Sequence, residues 1–191
     1  MMPQITLKRL YLIFILFPYI IFFSCGNGID KQTATSSGFA FIEKAIKQKF
    51  GEHAFYTDLS ITYNSAAGNI VSVTVSEVPE SLKMEQWNAS QGIWKQYQDI
   101  SIEVPHGSEA SDFMFQLNDV INLSKLGSLV ETSITELNVQ KNIGNPTLHR
   151  ASIKFPKDGD LSKTEYLVIL KPETGGRAFT FCYNINSELI K

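Results

Sequence analysis

With Cys25 set aside, Cys182 is the one thiol left in the chain, and its reactivity is the first chemical question the sequence poses. A nucleophilic cysteine needs a base beside it and a lowered pKa. His149 is the histidine whose strand could enter the same sheet, so a hydrolase built on Cys182 and His149 stays open as an alternative. Cys182, however, lies between Phe181 and Tyr183, on the face shared with Ala178 and Thr180, and His149 alternates in step with Ala151, Ile153 and Phe155. Cysteines in such runs behave as small hydrophobes, and the expectation for both residues is a structural role. His53, His106 and His149 share no metal-ligand spacing, and no cysteine pair accompanies them. Asp158-Gly159-Asp160 opens like a calcium loop, but Lys163 stands where such a loop requires glycine and Ile169 where it requires glutamate, which leaves a turn. Neither a G-x-S-x-G elbow nor an S-x-x-K pair occurs. No metal or cofactor is expected.

Trp87, Trp94 and Tyr97 are the aromatic residues with the most to say. If Gln91-Gly92 closes a hairpin, Trp87 and Trp94 face each other across two strands. Such a pair closes a core, contributing about 0.5–1 kcal/mol, or it forms with Tyr97 a candidate ligand platform for a sugar, a peptide or a lipid headgroup.

The elements that carry these residues follow from periodicity. Phe39, Ile42, Ile46 and Phe50 recur at helical spacing, with Ser36 or Ser37 as N-cap and Gly51 as stop. Leu59–Tyr63 and Val71–Val75 alternate with period two and predict a hairpin, as do Leu82–Ala89 and Ile93–Val104 about Gln91-Gly92. The order then repeats. Phe113, Leu117, Val120 and Ile121 predict a second helix with Ser111 as cap and Gly127 as stop. Strands are expected at 131–140, 148–155, 165–171 and 178–185, the last two flanking the hairpin signal Pro172–Gly176. The predicted fold class is α+β: two consecutive helix-plus-antiparallel-strand units of about α-β4 each, in halves 38–106 and 107–191. The repeated order suggests a duplication, and units this small must share or pack one core. The element order resembles small secreted α+β modules of the PepSY or cystatin-like kind.

Composition is that of an ordinary globule, 43% hydrophobic and 12% aromatic over 191 residues. Residues 1–24 hold Lys8 and Arg9 but no acid, so the remainder carries 15 basic and 19 acidic residues, a net charge of −4. With no basic stripe, nucleic acid is not an expected partner. Lys8-Arg9 precede an uncharged run, Leu10–Phe23, too short for a comfortable membrane span and interrupted by Pro18. It leads to Phe22-Phe23-Ser24-Cys25-Gly26, which resembles the lipobox of bacterial lipoproteins; large apolar residues at positions 22 and 23 are similar to those of the Bacteroidota. The resemblance covers residues 1–26. It implies a signal peptide over 1–24, cleavage before Cys25, and acylation of Cys25 as an anchor to the membrane, the outer membrane before the inner. A Cys25–Cys182 disulfide is an alternative fate in an exported protein, though it would consume the lipidation site. Residues 25–37 are then expected to form a flexible tether, whose polar part, 26–37, would span about 19 Å as a random coil, ahead of an α+β domain over 38–191.

The expectation is therefore an envelope lipoprotein whose globule is a non-enzymatic module binding a protein or a periplasmic ligand. A hydrolase with a motif-free site and a purely structural envelope component are the alternatives.

Overall fold

The computed structural model describes residues 28–140, 143–173 and 175–190. The signal-peptide and lipobox reading, Cys25 included, lies outside the described residues. Among those described, the fold is α+β: two α-helices on one face of a seven-stranded, wholly antiparallel sheet. The elements are α1 (Ser36–Phe50), β1 (Phe55–Asn64), β2 (Gly68–Ser76), β3 (Lys83–Ser90), β4 (Ile93–Ser101), α2 (Leu123–Gln140), β5 (Pro146–Lys154), β6 (Glu165–Pro172) and β7 (Phe179–Asn184). Strand order is β4-β3-β2-β1-β5-β6-β7. Each unit lays its strands out in sequence, and the first strand of one pairs with the first strand of the other, Ser60 opposite Ser152. The second unit has three strands, not four.

The first unit follows its periodicities. Phe39, Ile42, Ile46 and Phe50 are all buried, and Thr35 caps α1 by accepting the Gly38 amide. Gln91 and Gly92 take φ of 52° and 75°, the pair of positive angles that a two-residue hairpin turn needs.

The second helix departs from expectation. Residues 110–113 form a single 3-10 turn, Asn118 closes a turn onto the amides of Val120 and Ile121, and the helix begins only after Asn122, whose Oδ1 accepts the Lys125 amide. It then runs through 131–140, where a strand was expected. Leu123, Leu126, Val130, Ser133 and Leu137 form its buried stripe, a helical period that the β-branched residues Thr132, Ile134 and Thr135 obscure. Gly127 is not a stop. It lies within α2 because a Cβ there would sit 2.3 Å from the Thr35 carbonyl oxygen at the start of α1.

The expected tether is also corrected. Residues 28–35 form a strap seated on the globule: Ile29 is 5% exposed and belongs to the main core, and the Asn69 amide donates to the carbonyls of Ile29 (3.2 Å) and Gln32 (2.6 Å). Gly68, at φ +73°, leaves room for it; a Cβ would come within 2.1 Å of the Asp30 carbonyl. One polar side chain anchoring two backbone carbonyls from 37 and 40 residues away has no signature in a local window.

A single cluster joins α1, α2 and the helix-facing residues of both units, so the halves share one core. Gly127→Ala should destabilise the protein by about 1–3 kcal/mol, the range for forcing volume into a packed site, despite the roughly 1 kcal/mol alanine gains over glycine in a helix interior. Urea midpoints for the two proteins decide this, and an alanine variant of equal or higher stability would contradict the close approach.

Candidate functional site

Leu59 and Ile61 point into the core, as do Val71, Val73, Ala151 and Ile153, so alternation sends their neighbours to the opposite face. There the register aligns a row across the sheet: Lys95, Asn88, Ser72, Ser60, Ser152, Leu167 and Cys182. Neither α-helix covers this face. Its centre is paved with short hydroxyl side chains, Ser60, Ser72 and Ser152, with Thr62 and Thr74 beside them. None of the three serine hydroxyls hydrogen-bonds to a described residue, and Asn88 Oδ1 is a buried acceptor with no described donor.

Longer side chains stand around this floor. Arg150 is opposite Thr62, and Ile169 lies beyond Arg150. Asp58 lies opposite Thr74; loss of hydration raises its carboxyl pKa, against the opposing pull of the Arg150 charge. Lys154 pairs with Glu165 at 2.8 Å. At one end, residues 102–114 fold back over the same face, where Met84, Ala110 and Met114 are buried with Ile100, Ile102 and Val104 packed against them. The result is a polar trough between longer side chains, bounded at that end by an apolar arm; Ser60 and Ser152 on its floor are themselves buried, and Ser72 is half-buried.

Trp87 and Trp94 are on the other face. Both meet Phe50 of α1 edge-on, at 5.7 and 5.1 Å between ring centroids. The Lys49 ammonium lies 4.4 Å from the Trp87 ring, and Trp87 donates to Glu85 at 2.7 Å. Tyr97 is 54% exposed and sits at the β3–β4 irregularity between Gln96 and Gln98. The two tryptophans thus close the core around a helical phenylalanine, and the three residues do not form one flat platform.

Cys182 and His149 are not brought together. Cys182 aligns with Leu167 and then Ser152. His149 is therefore two strands across and three residues along, about 10 Å in each direction by sheet spacing, and it occupies the bulge between Leu148 and Arg150. Cys182 faces the trough and is half-buried, not enclosed in the core as its apolar neighbours suggested. Among the described residues no group of three His, Cys, Asp or Glu side chains could hold a metal, and no helix is long and apolar enough to cross a membrane. In the Asp158 turn the Lys163 ammonium contacts both Asp158 and Asp160, where a calcium loop would hold its ion; its hydrogen bond lowers the Asp158 pKa, and Ser162 does the same for Asp160.

A recess of about 460 Å³ between α1 and the 118–124 loop gathers Glu43, Lys47, Glu52 and Asp119. Its charges are engaged in the fold. Glu43 caps α2 through the Leu123 amide at 2.7 Å and holds Lys47 at 2.9 Å. Burial alone would lower the Lys47 pKa, but the hydrogen bond and charge of Glu43 raise it. The sequence contains the trough in plain sight, as the hydroxyls alternating with Leu59, Ile61, Val71 and Val73, but such alternation reads equally well as an ordinary solvated face. Compared with protein-family models, curated proteins and solved structures, the chain matches none.

With His149 out of reach, the reactivity of the half-buried Cys182 in the native protein should not depend on that imidazole. Maleimide labelling at neutral pH should proceed at the same rate in wild type and His149→Ala; a rate that collapses in the variant would restore the dyad.

Proposed function

We propose that this chain is a bacterial envelope lipoprotein, of the kind found in the Bacteroidota, anchored through Cys25 and presenting the sheet face away from its helices as a non-enzymatic binding module. The trough carries the reading. Hydroxyls on three adjacent central strands lie in register, facing away from the helices and without described hydrogen-bond partners. Ser72 is half-buried and Ser60 and Ser152 are buried, so an extended ligand meets Ser72 directly and reaches its neighbours by displacing the longer side chains around them. Each hydroxyl then offers both donor and acceptor. The unsatisfied Asn88 Oδ1 extends that offer, since a buried acceptor left alone costs about 1–3 kcal/mol. A protein segment or a periplasmic ligand of polar character fits such a surface.

The anchor rests on the lipobox-like Ser24-Cys25 behind its uncharged run. Two or more acyl chains hold a protein stably at a bilayer, whereas one does so only marginally. The location that follows is the cell envelope, with the outer membrane as the favoured leaflet carrier.

Two measurements test the two parts. Cys25→Ser should move the protein from the membrane to the soluble fraction of cells without changing its unfolding midpoint; retention in the membrane would point to an uncleaved apolar anchor instead. A photo-crosslinking residue at Ser72 should trap a discrete adduct in intact cells, whereas one at exposed Lys44, on the helix layer, should not. Equal adducts at both positions, or none at Ser72, would contradict the trough as a binding surface.

A further inference from the structure

The strap places the start of the described chain at one end of the sheet. Gly28 sits against Gly92 in the β3–β4 turn, and the Asp30 carbonyl sits against Gly68 in the β1–β2 turn. Cys25 stands three positions before Gly28, steps that at full extension span at most about 11 Å. The two hairpin tips therefore lie close to whatever holds Cys25. Those tips carry exposed apolar side chains: Ile93, 70% exposed, is the first residue of β4, and Tyr63, 44% exposed, is the penultimate residue of β1. Val139, 77% exposed near the C-terminus of α2, lies at the same end, where β5 begins.

We infer that this end of the molecule docks on the bilayer, with Ile93 and Tyr63 inserted at the headgroup–acyl boundary and the strands standing away from it. The inference rests on the proposed acylation of Cys25. Charge is a minor contribution to the contact, because Lys31, Lys171 and Arg177 at this end are largely offset by Asp30 and Glu173. An exposed isoleucine at a turn is costly in water and favoured in the interface, and a tyrosine suits that boundary through its apolar ring and polar tip. The ten residues of β1, at about 3.3 Å each, raise the 102–114 arm and the β5–β6 connection roughly 30 Å from the membrane. Held this way, the trough opens sideways along the bilayer and is not buried against it.

The test uses the full-length, membrane-processed protein with Cys182→Ala, reconstituted in phosphatidylcholine vesicles with brominated acyl chains. Bimane is attached at single cysteines replacing Ile93, Tyr63 or, in the β5–β6 connection, Leu161. The expected result is quenched, blue-shifted emission at 93 and 63 and no quenching at 161. Quenching at 161 equal to that at 93, or no quenching at any position in protein whose Cys25 peptide carries its acyl mass, would overturn the docking geometry and leave the anchor standing. A Cys25 peptide without acyl mass would overturn both.

Discussion

Each helix begins against the other, and each adds a carboxylate to the cap its partner already has. The Ser36 amide at the start of α1 donates to Glu131 of α2 at 3.0 Å, and the Leu123 amide at the start of α2 donates to Glu43 of α1 at 2.7 Å. Ser36 and Ser124 hydroxyls join between them at 2.8 Å. A carboxylate at a helix N-terminus satisfies an orphan amide and meets the positive end of the dipole, contributing about 0.5–2 kcal/mol. The exchange requires the two backbones to touch, and Gly127 makes that approach available at Thr35. Everything on the helix side of the sheet depends on this crossing, because it fixes where α1 and α2 lay their apolar stripes.

Once the helices are interlocked on one face, the main core lies on that side of the sheet, and only a small apolar cluster under the 102–114 arm lies on the other. The strands resolve that asymmetry residue by residue, with Leu59, Ile61, Val71, Val73, Ala151 and Ile153 toward the helices and Ser60, Ser72 and Ser152 away from them. The pairing of β1 with β5 then carries the hydroxyl row without a break from one unit to the other. The hydroxyl row is thus a product of the same crossing that joins the halves. Neither unit alone would present it.

Local patterns carried the reading as far as local physics reaches. α1 and the hairpins were legible because apolar residues at period 3.6 or 2 and positive-φ turn residues state their structure within a few positions. α2 was misread because its glycine answers to Thr35, 92 positions away in sequence, and not to a helix end. The strap looked like a linker because only Ile29 in it is strongly apolar, and its hold depends on Asn69 across the fold. The tryptophans were expected to pair across the strands, yet Trp87 stands opposite Gln96 and Trp94 opposite Ala89, and the ring both meet is Phe50 in the helix layer. What the sequence withheld in each case was a contact between distant segments.

The interlock makes one cooperative body of two units, and cooperativity can be read directly. Both tryptophans lie in the first unit, against Phe50, while the amides of β5, β6 and β7 report the second. Unfolding in urea followed by tryptophan fluorescence, alongside native-state hydrogen exchange of the β5–β7 amides, gives two independent free energies. The account predicts that they coincide, with one transition and one global opening. Exchange of the β5–β7 amides through a lower-energy opening while the tryptophans stay native would show two separable units and contradict it.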